Sequence, residues 1–192
     1  MKNFVKMLLG VLCAVTLTAT LRAEEAVTTA PGAILYIYSI ADTPVPPADA
    51  APIAVVVDKN TQFAWQNLRQ NDETAKFYGQ PLFLVWRGYI TIQTKGVYTF
   101  AASYENTTSL KNTVFQINGQ QLMTIDSFKR QRPNPNASAS VTLEPGTYEI
   151  TISHKIPDSN MHPSKDFTLT FWNRATPLRK TVLTPALMFH AE

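Results

Sequence analysis

The sequence predicts an all-β fold: an antiparallel, jelly-roll-like β-sandwich of about nine or ten short strands with little helix. Three observations lead to it. Short runs along most of the chain alternate apolar and polar side chains, the period of a sheet with one buried face. Proline, glycine and asparagine punctuate those runs, with 13 prolines and 7 glycines in 192 residues. Only residues 66–77 have room for a helical turn or two.

Residues 1–23 have the layout of a secretory signal peptide. Lys2 and Lys6 precede an apolar run over residues 7–18, and small residues continue to a processing site after Ala23. The run is short for a membrane span, so no stable insertion is expected once it is removed. Gly10-Val11-Leu12, which precedes Cys13, lacks the small residues next to the cysteine that lipidation requires. Lys2, Lys6 and Arg22 account for the whole formal charge of +3, and taking these three from 17 Lys and Arg leaves 14 bases against 14 acids. A neutral exported chain has no general field for nucleic acid. Cys13 is the only cysteine, so the exported form folds without disulfides and has no thiol for nucleophilic catalysis. The expectation is an exported protein in the periplasm, on the cell surface or secreted.

Residues 24–32 read as a flexible lead-in, and 33–192 as a single sandwich domain. Residues 33–40 are β-prone, with Tyr36 and Tyr38 on one face and Leu35 and Ile37 on the other. Residues 42–52 hold four prolines in eleven positions, which predicts a loop or extended edge, free to lie along a partner. Residues 53–57 form a short strand candidate. Residues 84–100 read as two strands meeting at Lys95-Gly96, a hairpin in which Gly96 takes positive φ. Trp86 and Tyr98 belong to its buried face. Residues 104–112 are polar and read as a loop. A second hairpin covers residues 114–125, where Asn118-Gly119 is the signal for a type I′ turn. Residues 128–139 form another loop. Residues 140–143 then lead through Glu144-Pro145-Gly146 into a strand where Tyr148, Ile150 and Ile152 alternate with Glu149, Thr151 and Ser153. Residues 156–165 form a further loop. Phe167, Leu169 and Phe171 alternate with Thr168, Thr170 and Trp172, and residues 183–189 close the chain.

Four segments in order resemble the protective antigen domain family, a β-sandwich of bacterial toxins, glycosidase insertions, and yeast flocculins and adhesins. They are Trp86-Arg-Gly-Tyr-Ile with Gly96-Val-Tyr-Thr-Phe, Val114-Phe-Gln-Ile-Asn-Gly-Gln-Gln-Leu, Val141-Thr-Leu-Glu-Pro-Gly-Thr-Tyr-Glu-Ile-Thr-Ile, and Phe167-Thr-Leu-Thr-Phe-Trp with Thr184-Pro-Ala-Leu. The resemblance covers residues 82–188 and implies carbohydrate or surface-ligand recognition. Sugar-binding members hold calcium on an Asp-Asp pair after the Tyr-Thr-Phe strand. Residues 101–112 of this chain lack such a pair, and Glu105, the single carboxylate there, leaves a calcium site on Glu105 and Asn106 doubtful. No cofactor is therefore expected. The resemblance also directs attention to Tyr104, Glu105 and Asn106 with Asp126, where family members bind ligand.

Catalytic chemistry finds no constellation. His154, His162 and His190 have no short metal-ligand spacing and read as surface or edge histidines. No carboxylate pair of glycosidase type stands out. The chain is read as non-enzymatic, with no metal site. Two more binding candidates come from the residues themselves. Lys129, Arg130 and Arg132 form a basic cluster beside Phe128, suited to an anionic partner. Trp172 points away from the core face of its strand, and an exposed indole stacks on sugars. For each candidate a bland role stays open: a solvated loop, a solvated charge run, a cover for the sheet's second face. The partner is expected to be a glycan or a surface protein. A structural subunit of a pilus- or secretion-associated assembly, with no small ligand, is the alternative.

Overall fold

Two antiparallel sheets, one of eight strands and one of four, hold the main core between them. The computed structural model describes residues 28–40, 43, 45–103, 111–125, 137–156, 168–175 and 180–192. In chain order these are β1 (Thr29–Pro31), β2 (Ala33–Ser39), β3 (Ala54–Asp58), a 3-10 segment (Trp65–Gln70), α1 (Asp72–Ala75), β4 (Leu82–Ile92), β5 (Gly96–Ser103), β6 (Lys111–Ile117), β7 (Gln120–Ile125), β8 (Ala137–Leu143), β9 (Gly146–Ile156), β10 (Thr168–Asn173), β11 (Thr181–Leu183), a 3-10 turn (Pro185–Leu187) and β12 (Phe189–Ala191). Strands outnumber the sequence-based expectation because β1, β11 and β12 have three residues each, too few for a visible alternation.

In the larger sheet β4 is central. It pairs with β9 from Leu82↔Ile156 to Ile92↔Gly146, and with β2 along its first half. Beyond β9 come β6 and β7, and beyond β2 comes β3. Its far half meets β12 at Phe189, and β12 carries β1. The lead-in expected over residues 24–32 is thus partly sheet, since Thr29–Pro31 pairs with Ala191 to Phe189. The smaller sheet runs β11-β10-β5-β8.

Residues 84–100 are not a hairpin. β4 and β5 belong to different sheets, and the chain crosses from one to the other between Ile92 and Gly96. Alternation looks the same in both arrangements, because each strand buries one face whether its hydrogen-bonded partner is its chain neighbour or not. Gly96 also has a different role from the one expected. It is not among the positive-φ residues, and a Cβ there would run into the carboxamide of buried Asn173. Close approach, not a left-handed turn, demands glycine here. Gly96→Ala should destabilise the protein by about 1–3 kcal/mol in urea denaturation, the range for overpacking. A change within about 0.3 kcal/mol would show that Asn173 yields freely. Lys95 and Glu144 form an exposed ion pair of 2.6 Å that links this crossing to the one between β8 and β9.

The second hairpin is as expected: Asn118 has φ 49° and Gly119 φ 73°, the positive pair that a type I′ turn needs. Inward residues of both sheets meet in one core. Phe100 of β5 touches Phe115 of β6 across the layers at 5.1 Å between ring centroids, and stacks on Phe171 at 5.7 Å. Trp86 and Tyr98 are both in that core. Phe63 sits edge-on to Trp86 at 5.6 Å, and Leu68 from the following 3-10 segment is buried in the same core cluster. Asn71 caps α1 by accepting from the Glu73 N–H at 2.8 Å. Buried Thr74 donates to the Leu68 carbonyl at 2.8 Å, which holds this single turn against the 3-10 segment.

Candidate functional site

The outer face of the larger sheet carries more chemistry than any loop among the described residues. Register sets its layout. Ile34, Arg87, Thr151 and Gln116 lie side by side across β2, β4, β9 and β6. One step along the strands, Tyr36, Val85, Ser153 and Val114 form the next row, followed by Tyr38, Phe83 and Lys155. On the other side of the Arg87 row come Phe189, Tyr89 and Glu149. Four tyrosine and phenylalanine rings of this face pair up: Tyr36 stacks on Tyr38 at 6.4 Å, and Tyr89 meets Phe189 at 5.8 Å. The Arg87 guanidinium lies 5.3 Å from the Tyr36 ring centroid.

The proline-rich segment folds back over this face. Tyr38, Phe83 and Val85 form a second buried cluster against which Ala50 packs. The Lys155 ammonium fixes the near end of the segment by donating to the Thr43 carbonyl at 3.1 Å, and the Ala50 N–H donates to the Pro47 carbonyl at 3.0 Å. Proline-rich chain was expected to be free to lie along a partner, but residues 45–50 lie along their own sheet. The physical reason is that Phe83 and Val85 are apolar on a face that alternation would leave wet, so something must cover them. Between strap and sheet remains a pocket of about 160 Å³, with Pro46 and Pro47 above and Arg87, Gln116, Thr151 and Ser153 along its wall.

Of the sequence-predicted site residues, only Trp172 is among those described. Tyr104, Glu105, Asn106, Asp126, Lys129, Arg130 and Arg132 lie outside the described residues, as does His162. Trp172 stands on the outer face of the smaller sheet, paired with Thr99. It is half-buried, and the Lys180 ammonium sits 4.9 Å from its ring centroid. A cation therefore already occupies one face of the indole.

Two histidines correct the sequence reading, because both are buried. His190 of β12 has Nδ1 3.1 Å from the Gly32 carbonyl. His154 faces inward on β9 opposite Leu84, with Nδ1 2.8 Å from the Thr113 hydroxyl. Burial in the core lowers its pKa to about 4, so it is neutral at pH 7. Asp58, also buried, accepts hydrogen bonds from Trp86 Nε1 at 2.7 Å and from Asn60 at 2.9 and 2.8 Å. These groups support the fold and do not converge on a common point. Among the described residues no cluster of three or more His, Cys, Asp or Glu could hold a metal.

Sequence reading missed the strapped pocket for a definite reason. Glu149, Thr151 and Ser153 alternate with isoleucines and so looked like a solvent face. The available signal was Phe83 and Val85, apolar residues out of phase with the Leu82, Leu84 and Trp86 set, which require a cover that local pattern cannot name.

A two-layer antiparallel sandwich with side chains displayed on both outer faces defines the class: an all-β sandwich, whose fold is that of PA14 domains. Comparison with known proteins supports this at the level of fold. The PA14 domain of the antifreeze protein MpAFP superposes with a TM-score of 0.56 at 14% identity, covering 84% of this chain and 92% of that one. The epithelial adhesin 9 A domain of Candida glabrata, solved in complex with Galβ1-3GlcNAc, gives 0.55 at 11% identity, covering 85% and 91%. A β-glucosidase from Kluyveromyces marxianus gives 0.50 at 14% identity, covering 74% of this chain, which spans only 16% of that enzyme's length. No family model matches the sequence, and no curated protein matches it. The chain has the fold of the protective antigen (PA14) domain, as the four segments over residues 82–188 indicated.

Proposed function

We propose that this chain is an exported, non-enzymatic recognition module that binds a carbohydrate, in the manner of an adhesin domain. The observation that carries this reading is the shared fold with an adhesin domain solved with a disaccharide, over 85% of this chain. It is an argument from fold and supports the class of ligand, not its identity. Aromatic rings and planar polar side chains, which suit the faces and hydroxyls of sugars, are present on the larger sheet at Tyr36, Tyr89 and Arg87. The contact set proposed from the sequence consists of Tyr104, Glu105, Asn106, Asp126, Lys129, Arg130 and Arg132, with Trp172. Calcium is not part of the proposal, because residues 101–112 have no Asp pair.

A glycan array probed with purified residues 24–192 tests it. Binding to a defined set of glycans is expected, and it should persist in chelator. Replacing Lys129, Arg130 and Arg132 together by alanine should weaken binding to anionic glycans and flatten its salt dependence. An array silent with and without calcium would sink the carbohydrate reading.

One observation favours the second reading, a structural subunit of a periplasmic or surface assembly. Strand β3 is an edge of the larger sheet, and Ile53, Val55 and Val57 beside and along it are 44%, 49% and 46% exposed. An apolar edge with no second strand partner among the described residues is suited to strand addition by a partner. Under that reading the protein co-purifies in a surface complex, and Val55→Lys abolishes the association.

A further inference from the structure

We propose that the pocket beneath the Pro46-Pro47 strap is a binding site for a small carboxylate. The pocket is built, not incidental. Its volume of about 160 Å³ far exceeds the roughly 10–15 Å³ that one water needs. Ser153 lines it, is 3% exposed, and its Oγ has no hydrogen-bond partner among the described residues. A buried hydroxyl left unpaired costs more than an alanine in its place, so an unpaired one facing a cavity points to a missing partner.

The polar groups that could meet that partner converge through sheet register and need no loop. Arg87, Thr151 and Gln116 are successive cross-strand neighbours, and Ser153 is the next outward residue on β9 after Thr151. Cross-strand neighbours stand about 5 Å apart, the spacing needed to reach a single small group. Among the described residues Arg87 is the only charged side chain lining the pocket, and the only ion pair, Lys95–Glu144, lies elsewhere. Its planar guanidinium matches a carboxylate with two parallel hydrogen bonds, while hydroxyls and an amide complete the shell. Tyr36, at 5.3 Å, supports the guanidinium from one side. Glu149 lines the neighbouring depression, on which Arg87 also borders, and is not in the pocket wall. Pro46 and Pro47 supply an apolar roof for the carbon body that bears the carboxylate.

The carboxylate is argued from Arg87 and its neighbours alone. That its carrier is an acidic sugar rests on the carbohydrate reading above. The test is calorimetric titration of the protein with glucuronate, acetate and glucose as probes. Glucuronate is expected to bind, acetate to bind more weakly, and glucose not to bind. Arg87→Gln, a change at an exposed position, should weaken glucuronate at least about tenfold. Ser153→Val, which removes the buried hydroxyl and narrows the pocket, should abolish binding in a protein that still melts cooperatively. No binding of either carboxylate, glucose binding as tightly as glucuronate, or binding unchanged in Arg87→Gln would each overturn the site. The two proposals fail separately. A glycan-array signal that survives Ser153→Val, with no carboxylate bound, removes this pocket and leaves carbohydrate recognition standing.

Discussion

Replacing Trp86 by alanine is expected to cost about 3–5 kcal/mol, the range for truncating a large buried aromatic. The site offers little means of relaxing. Trp86 is 1% exposed on the central strand of the larger sheet, with β2 and β9 paired on either side. Phe63 meets its ring edge-on at 5.6 Å, and its indole N–H is held by Asp58 at 2.7 Å. Removing the ring leaves a cavity and strips the buried carboxylate of a donor, two separate costs. Domains of this size have roughly 5–15 kcal/mol of stability, so the substitution removes a large share of it. Urea denaturation of Trp86→Ala, Asp58→Asn and the double variant would separate the terms. Asp58→Asn keeps an acceptor and should cost less, about 1–2 kcal/mol. Non-additivity in the double variant measures the hydrogen bond, and a loss below about 1 kcal/mol for Trp86→Ala would contradict this account.

Acid should destabilise the protein through His154. Its folded pKa is about 4, against about 6.5 in an unfolded chain. As pH falls below about 6.5 the unfolded state takes up a proton that the folded state refuses, so stability falls. The contribution is intact above the unfolded value and is lost through the window from about 6.5 down to about 4. The depression comes from burial, which disfavours imidazolium. Over that window the loss amounts to about 3 kcal/mol, from 1.36 kcal/mol per unit. Denaturation midpoints measured from pH 7.5 to pH 4 should therefore decline, and His154→Asn, which can still reach Thr113, should flatten the decline. An equal decline in wild type and variant would assign acid sensitivity to other groups. Mild acidity should therefore loosen the junction of β4, β6 and β9, where His154 is buried.

Much of the architecture was legible because sheet burial writes itself into alternation. Leu84, Trp86, Ile150 and Ile152 repeat at every second position, and the positive φ of Asn118 and Gly119 was implied by the residue pair itself. Partnering was not legible. The β4–β5 segment alternates as a hairpin would, yet its strands face each other across the core. Hydrogen-bond partners of a strand lie far along the chain, such as Leu82 with Ile156, and side-chain period carries no record of them. Histidines went astray for a related reason. His154 continues the inward series of Ile150 and Ile152, and the nearby Thr113 hydroxyl makes a polar ring tolerable there.

From the amino-acid order alone follow an all-β chain, its inward face and its tight turn, because these depend on neighbours within a few residues. Where glycine is needed for space, which strand carries which partner, and where residues 45–50 come to rest depend on groups brought together from distant parts of the chain. Gly96 answers to Asn173, and Ser153 to a strap more than a hundred residues before it. The strapped pocket belongs wholly to this second kind. Phe83 and Val85 demand a cover, the proline segment provides it, and the polar row of Arg87, Thr151 and Gln116 becomes a cavity wall in consequence.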